Sequence, residues 1–256
     1  MTPDGRAASA DPGWGGRRAD GRVGGMTVTE TLLTPLFAAG PGRPLITHYD
    51  DAAGTRVELS RATIGNWAAK TANWLRDELD VEAGDPVAVL LPAHWQTAGV
   101  LLGAWWCGAA VTDDPAGAKV AFVAPGGTAG GADTVATVSL HPMGLGCGAE
   151  LDYVDEVRVH GDEFLPWAPV PGSTPALGKS TVDEVVAEAR QRANTLAIGP
   201  YTRVLSTVEW AQPDGLLNGF LAVLAGGGSL VQCSNANADL LPARRASEHT
   251  TLDLVG

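Results

Sequence analysis

The feature that most constrains the fold is an uncharged stretch in the first half of the chain. Between Val87 and Thr112 there is no Asp, Glu, Lys or Arg, a length that would suit a membrane-spanning helix. Pro92, His94 and Gln96 interrupt the stretch, which indicates a buried strand, a turn and a buried helix instead of a membrane span. The elements predicted here are a strand over 86–91, a helix over 95–107 that ends at Gly108, and a strand over 109–112.

Two other segments have the periodicity of amphipathic helices. Ser60 is a suitable N-cap for the first, in which apolar residues recur at helical spacing over 64–79. Thr181 and Glu184 form a capping-box pattern for the second, whose apolar positions continue over 182–197. Because each helix has one apolar stripe, both are predicted to pack against a core.

The remaining predicted elements alternate between strands and helices. Alternation of this kind is typical of an α/β fold, because each pair of parallel strands requires a crossover that a helix provides. We therefore predict an α/β architecture with a mostly parallel sheet and crossover helices. Further strands are predicted over 119–124, 135–140, 203–208, 229–233 and 251–255, and further helices over 216–225 and 239–248.

Composition bounds the domain organisation. The chain has 256 residues, of which 45% are hydrophobic and 18% charged, so it can bury a sizeable core, and we predict one domain over 26–256. Residues 1–25 are dominated by Gly, Ala, Arg and Asp, and a disordered N-terminal tail is predicted there. Met26 opens the first segment with regular apolar spacing, and we hypothesise that it is the biological start.

Charge and cysteine usage exclude several classes of function. The formal net charge of -12 argues against nucleic acid and membrane surfaces as partners, because both need clusters of Lys and Arg. Cys107, Cys147 and Cys233 are far apart and odd in number, which indicates reduced thiols in a cytoplasmic protein and neither disulfides nor a zinc site. No metal is therefore predicted.

Histidines and tryptophans are the other residue types that could mark a functional site. The five His residues lie far apart in sequence without a ligand-spaced partner, so each is interpreted as structural. Trp67, Trp74 and the pair Trp105-Trp106 fall on helices and are predicted to be core. The tryptophans in the tail or in loops would mark a partner or ligand surface if exposed, and these are Trp14, Trp167 and Trp210.

Two regions of the chain are rich in glycine. The segment 125–131 would cradle phosphate if it opened a helix, but a β-branched stretch follows it. A flexible hairpin or loop is predicted, with a ligand loop as the alternative. The segment 141–175 is predicted to be a solvated irregular surface, because its carboxylates have no evident partner; they are Asp152, Asp155, Glu156, Asp162 and Glu163.

The order of features from Leu59 to Trp95 is more specific than any single motif. An amphipathic helix is followed by the turn Gly84-Asp85, an apolar strand that ends in Pro92, and a buried helix. This order resembles the N-terminal segment of AMP-dependent synthetases and ligases, the adenylate-forming superfamily that includes acyl-CoA synthetases. The residues that carry the resemblance are Leu59, Ser60, Ile64, Ala68, Ala72, Leu75, Val81, Gly84 to Pro92, and Trp95.

A second resemblance covers the last third of the chain. Over 181–255, the segments 203–206 and 215–231 are similar to the stretch that lies downstream of the superfamily's nucleotide loop. The resemblance implies a fold like part of the N-terminal domain of adenylate-forming enzymes.

Between the two matching stretches, the superfamily carries a Ser/Thr/Gly-rich loop that ends in Pro-Lys-Gly and holds the phosphates of ATP. The corresponding segment here is 171–180, where Pro175 removes an N–H donor and Leu177 adds a bulky apolar side chain. A structural loop before a helix is predicted, and vestigial binding of ATP or AMP is the alternative. The candidate cofactor-binding residues are Ser173, Thr174, Gly178 and Lys179.

Other departures from the superfamily concern the catalytic machinery. The superfamily has a Pro-x-x-His-like element beside its substrate pocket, whereas this chain has the segment 209–212, Glu-Trp-Ala-Gln. The sequence also ends before the positions of the superfamily's second nucleotide motif, its ribose-binding Asp and its mobile domain with a catalytic Lys. Because adenylation depends on stabilising phosphoryl charge, no catalytic residue is predicted.

Three functional hypotheses follow from the sequence. The preferred one is a non-catalytic relative of the acyl-CoA synthetase N-terminal domain that binds a small ligand or a protein partner, without a cofactor. The alternatives are an enzyme that handles acyl or adenylate groups with substituted residues, or whose site a separate chain completes, and a structural subunit of a homo-oligomer.

Overall fold

The computed structural model describes residues 25–255, so the predicted tail over 1–25 lies outside the described residues apart from Gly25. The described helices are α1 (Val28–Ala38), α2 (Arg61–Asp77), α3 (Trp95–Trp106), α4 (Tyr153–Val157), α5 (Val182–Thr195), α6 (Asp214–Leu216), α7 (Ala222–Gly226) and α8 (Leu241–Glu248). A π-helical segment, Leu217–Leu221, joins α6 to α7, and a 3-10 turn, Ala238–Leu240, precedes α8.

The described strands form two sheets. They are β1 (Pro44–Asp50), β2 (Thr55–Ser60), β3 (Pro86–Leu90), β4 (Ala110–Thr112), β5 (Val120–Val123), β6 (Thr134–Thr137), β7 (Pro175–Leu177), β8 (Ser180–Thr181), β9 (Arg203–Ser206), β10 (Ser229–Ser234) and β11 (Leu252–Leu254). Sheet A has the order β11-β9-β10-β1-β2, and sheet B has the order β6-β5-β3-β4-β7-β8. One edge pair of each sheet is antiparallel and the other described pairs are parallel, which confirms the predicted α/β class.

The predicted caps of the amphipathic helices are confirmed. Ser60 Oγ accepts a hydrogen bond from Thr63 N at the start of α2, and Thr181 and Glu184 form a reciprocal capping box on α5. Gly108 ends the buried helix with a φ of 92°, a conformation that glycine adopts without strain. These helix ends could be predicted from the sequence, because capping depends on residues that are close together along the chain.

The sequence analysis missed α1 and the hairpin of β1 and β2. The N-terminus of α1 carries a capping box formed by Thr27 and Glu30, the same signal that identified α5. For β1, the pattern was hidden because the strand is buried on both faces and includes His48 and Thr47 among its buried residues. A polar residue inside a strand weakens the apolar pattern that predicts it.

The segment 125–131 was predicted to be a hairpin or a loop, and the structure shows a loop, because β5 and β6 run parallel. Gly126 and Gly131 have φ values of 80° and 93°, which lets the chain reverse twice before it enters β6.

The segment 141–175 is not a purely solvated surface. It contains α4, whose Tyr153 is buried in the main core. Asp152 is buried and accepts hydrogen bonds from the backbone N–H groups of Cys147, Gly148 and Val154. Burial alone would raise the pKa of Asp152, but these hydrogen bonds outweigh it and hold the pKa below its ordinary value.

A close contact between α2 and α3 lies at the centre of the molecule. All twelve residues of α3 are buried, and Gly103 lies so near α2 that a Cβ atom there would be 2.4 Å from Thr71 Cβ. Gly99 similarly faces Trp67. Small residues at these two positions therefore allow the helices to approach each other.

The buried Arg61 at the start of α2 is bound by helix ends. Its Nη1 donates to the carbonyl of Leu36 in the last turn of α1 at 2.9 Å, and its Nη2 donates to the carbonyl of Gly227 after α7 at 3.2 Å. Helix C-termini carry partial negative charge, so they stabilise a guanidinium there. Arg61 thereby joins three helices at one point.

The length of the uncharged stretch would suit a membrane-spanning helix, and the structure tests whether such a helix forms. Within residues 25–255 there is no helix with both the length and the hydropathy needed to cross a bilayer.

We expect Gly103→Ala to destabilise the protein by about 1 to 3 kcal/mol, because overpacking against Thr71 outweighs the ~1 kcal/mol gain in helix propensity. The matched control is Gly130→Ala, since no atom lies within 4 Å of a Cβ built there. Its free energy of unfolding should stay within about 0.5 kcal/mol of the wild type. Urea unfolding followed by tryptophan fluorescence measures both, and equal losses would contradict the packing argument.

Candidate functional site

The four predicted cofactor-binding residues lie on or beside one hairpin. Thr174 precedes β7, and Gly178 and Lys179 form the turn between β7 and β8. Gly178 has a φ of 55°, and its N–H donates to the carbonyl of Val111 at 2.8 Å. Ser173 and Lys179 are exposed. The structure therefore places these residues close together, at the entrance to α5.

Several backbone donors of this hairpin have acceptors inside the protein. Thr174 N donates to the carbonyl of Pro171 at 3.0 Å, and Val182 N donates to the carbonyl of Thr174 at 2.9 Å. Thr181 N donates to Glu184 Oε2 at 2.8 Å. With the bond from Gly178 N, these interactions consume donors that a phosphate-binding loop directs toward its ligand.

A cavity of about 300 Å³ lies beside the hairpin, between α5 and the start of the π-helical segment. Its charged lining consists of Glu184, Glu188, Asp214 and Arg192. Arg192 is occupied by two of the carboxylates, with Nε donating to Glu188 at 2.6 Å and Nη2 donating to Asp214 at 2.8 Å. Those hydrogen bonds raise the pKa of Arg192. With three carboxylates against one guanidinium, the cavity repels polyanions such as triphosphates.

The segment 209–212, which the resemblance aligns with the Pro-x-x-His-like element, lies between β9 and α6. Trp210 is buried and stacks on Phe220, with the ring centroids 4.5 Å apart. Glu209 is exposed, and one of its carboxylate oxygens accepts a hydrogen bond from Ala93 N at 3.2 Å. Trp210 therefore packs as core, whereas the sequence analysis left open an exposed role.

The carboxyl ends of β9 and β10 lie side by side in sheet A. On one face, Val204 and Leu230 belong to the main core together with Leu224 of α7. On the other face, Leu205 and Val231 pack with Leu241 of α8. The chain thus leaves β9 toward one face and β10 toward the other, and parallel sheets bind ligands in the crevice formed at such a point.

A layer of buried polar side chains lies near the carboxyl ends of these strands. The register pairs Ser206 with Gln232 and Gln232 with His48, so the three lie side by side on β9, β10 and β1. Their exposed fractions are 0%, 0% and 2%. Gln232 Nε2 donates to the carbonyl of Val208, while Gln232 Oε1 is buried without a hydrogen-bond partner in the described part of the chain. We refer to Ser206, Gln232, His48, Ser234 and His94 as the sheet A crevice.

His48 and His94 bring the two sheets together in this crevice. Their rings are 4.3 Å apart in an edge-to-face arrangement, although the residues are 46 positions apart in sequence. His94 also caps α3, where its Nδ1 accepts a hydrogen bond from Gln96 N at 3.1 Å. The sequence analysis treated every His as isolated, because no local spacing connects these two.

Burial keeps both imidazoles neutral. It lowers the pKa of His48 to about 4, against a smaller opposing effect of the Asp50 carboxylate. Burial together with the neighbouring His48 lowers the pKa of His94 to about 3. The low-dielectric surroundings disfavour the charged form of each ring.

Ser234 links His48 to the opposite wall of the crevice. Its hydroxyl donates to the carbonyl of Ala93 at 2.9 Å, and its oxygen lies 2.9 Å from His48 Nε2. When the serine proton is donated to Ala93, His48 Nε2 is the donor in their hydrogen bond, and in the other tautomer of His48 the ring nitrogen accepts that proton.

The described residues contain no candidate metal site. Between residues 25 and 255, no group of three or more His, Cys, Asp or Glu side chains is placed so as to hold a metal ion.

The histidine pair gives a pH dependence with a defined sign. Between pH 6.5, the ordinary pKa, and about 4, the unfolded chain binds protons at His48 and His94 that the folded chain does not. Stability therefore falls as pH is lowered through this window, by on the order of 2 kcal/mol per histidine between pH 7 and pH 5.

The double variant His48→Gln, His94→Asn should flatten this dependence, because Gln can still donate to Ser234 and Asn can still cap α3. Denaturant unfolding between pH 7 and pH 5 measures it. The control His141→Asn removes an exposed histidine and should keep the wild-type slope. An unchanged slope in the double variant would contradict the assignment.

Solved structures share this fold. The chain aligns with an acyl-CoA synthetase of Brucella canis at a TM-score of 0.73 and 18% identity, covering 90% of this chain and 47% of the other. It aligns with an anthranilate CoA ligase in complex with anthranoyl-AMP at a TM-score of 0.70 and 14% identity, covering 89% and 49%. A fatty acyl CoA synthetase of Mycobacterium tuberculosis gives 0.67 and 14%, covering 89% and 48%. The chain spans about half the length of these proteins, and at such identities they show the fold alone.

One curated relative is similar over almost its whole length. The TIGR03089 family protein of Mycobacterium tuberculosis (strain ATCC 25618 / H37Rv) is 44% identical over 239 residues, which cover 88% of this chain and 97% of the relative. No family model matches the chain. The fold is that of the N-terminal domain of adenylate-forming enzymes, and the identity with the curated relative shows that the chain belongs to the TIGR03089 family.

Proposed function

We propose that this protein is a non-catalytic binding module built on the N-terminal fold of acyl-CoA synthetases, and that it binds a small ligand in the sheet A crevice. The observation that carries the proposal is that several backbone N–H donors of the hairpin at Gly178 are already bonded within the protein. Its donors are bonded to Val111, Pro171 and Thr174 within the protein and to Glu184 at the helix start. A chain that cannot grip triphosphate has little means of forming an adenylate.

The charges around the hairpin support the same proposal. The adjacent cavity contains three carboxylates, and the one guanidinium that lines it is already paired with two of them. Lys179 is exposed on the turn, and no ion pair involves it among the described residues. An isolated exposed lysine contributes little against this local negative charge.

The sheet A crevice supports binding of a neutral or cationic polar molecule. Its histidines are neutral, and the charged groups beside it are the carboxylates of Asp50 and Glu209. Gln232 Oε1 is a buried acceptor without a partner among residues 25–255. Because an unpaired buried acceptor is costly, a ligand that donates a hydrogen bond there would gain affinity.

ATP–pyrophosphate exchange with a panel of carboxylic acids separates this proposal from the enzyme alternative. We expect the wild type to give no more exchange than Lys179→Ala, since neither grips the triphosphate. Exchange by the wild type that is lost in Lys179→Ala would contradict the proposal and favour adenylate chemistry.

Thermal unfolding in a small-molecule screen tests the binding site. Mg-ATP should leave the Tm unchanged, whereas a ligand of the crevice raises it by mass action. The variant Gln232→Leu removes the unpartnered acceptor without removing volume, so it should keep the fold and lose the ligand-induced shift. A shift that persists in Gln232→Leu would place the ligand elsewhere.

A further inference from the structure

The segment 164–170 presents large apolar side chains on a fixed backbone. Leu165 and Trp167 are 75% and 80% exposed. The segment is nevertheless pinned to α2, because Arg76 Nη1 donates to the carbonyl of Leu165 at 2.9 Å and Asn73 Nδ2 donates to the carbonyl of Glu163 at 2.9 Å. Exposed apolar groups on a rigid support are typical of recognition surfaces.

Arg76 also fixes the aromatic rings. Its guanidinium carbon lies 4.7 Å from the ring centroid of Phe164 and 4.8 Å from that of Trp167. The same guanidinium is bonded to Asp77 through Nε and Nη2, which neutralises its charge. The Trp167 ring is therefore held in place while most of its surface stays accessible.

A groove runs beneath this ring. It has a volume of about 270 Å³, and most of its lining surface is apolar. Its walls come from the segment 164–170, the turn that precedes β3 and the end of α3; the residues used in the argument are Val81, Cys107, Phe164, Pro166, Trp167 and Pro169. We refer to it as the Trp167 groove.

The rim of the Trp167 groove is acidic. Asp80 and Glu82 line it, both are exposed, and neither has an ion-pair partner among the described residues. The one basic side chain in the lining, Arg76, is neutralised by Asp77. An occupant with a free cation next to an apolar segment would complement this surface.

The Trp167 groove and the sheet A crevice lie at the ends of strands that belong to different sheets. Residues 80–83 precede β3, Cys107 precedes β4 and the segment 164–170 precedes β7, so the groove lies toward the amino ends of these strands in sheet B. The crevice lies at the carboxyl ends of β1, β9 and β10 in sheet A. A ligand in one site does not occupy the other, and the two proposals can be tested separately.

We propose that the Trp167 groove binds an extended, proline-containing segment of a partner protein, flanked by an Arg or Lys that pairs with Asp80 and Glu82. Aromatic-lined grooves recognise polyproline II segments, because that conformation is preformed and loses little entropy on binding. The accessible face of Trp167 supplies the stacking surface for proline rings. The acidic rim determines the orientation in which the peptide binds, because only one end of the peptide carries the cation.

The experiment uses an immobilised library of heptapeptides with Arg at the first position and Pro at the fourth and seventh, which matches the three-residue turn of polyproline II. A matched library carries Glu in place of Arg. We expect the full-length protein to select peptides from the Arg library alone, with dissociation constants on the order of 10 to 100 µM. Binding should weaken as salt is raised.

Variants distinguish the groove from other surfaces. Trp167→Ala should weaken the selected peptides at least about tenfold, and Asp80→Lys with Glu82→Lys should remove the preference for Arg over Glu. Trp167 is exposed, so the fold should be retained, which circular dichroism verifies. Tyr201→Ala is the control, because Tyr201 is an exposed aromatic residue outside the groove. This variant should bind the selected peptides as tightly as the wild type does.

The proposal would be overturned if the protein bound no more peptides from the Arg library than from the Glu library. It would also be overturned if Trp167→Ala bound the selected peptides with the affinity of the wild type. Neither result would bear on pyrophosphate exchange or on the crevice, which depend on other residues.

Discussion

The close approach of α2 and α3 is the contact on which the rest of the structure depends. Because Gly99 and Gly103 have no side chain, α3 lies directly against Trp67 and Thr71 of α2. α2 follows the antiparallel edge of sheet A and α3 follows β3 of sheet B, so this helix pair connects the two sheets. His48 and His94 meet where the two sheets approach each other.

The same placement determines which parts of the molecule are available for binding. Hydrogen bonds inside the hairpin at Gly178 consume donors that the resemblance to adenylate-forming enzymes would assign to phosphate. The sheet A crevice keeps an unpartnered acceptor, Gln232 Oε1, and the Trp167 groove keeps an exposed aromatic ring. We propose that a fold shared with acyl-CoA synthetases can retain sites for ligands after it has lost free donors for phosphate, since function depends on sites and not on the fold.

Local signals predicted much of the fold. Ser60, Thr181 with Glu184, and Gly108 marked helix ends within one residue or two, because caps are set by neighbours along the chain. β1 and α4 were missed for the opposite reason, since their polar residues His48 and Asp152 are buried by contacts made far along the sequence or by loop backbone. For the segment between β5 and β6 the sequence left a hairpin and a loop open, because glycines permit a reversal without specifying the direction of the next strand.

The sequence by itself determined the class of fold, the positions of the capped helices and the departures from the phosphate-loop pattern at Pro175 and Leu177. These features depend on periodicity, capping and residue type, which act over a few positions. Only the tertiary structure decided that Trp210 is core, that Trp167 is exposed, and that two histidines form a buried neutral pair. Exposure and pKa depend on which distant segments cover a residue, and no local pattern in the chain encodes that.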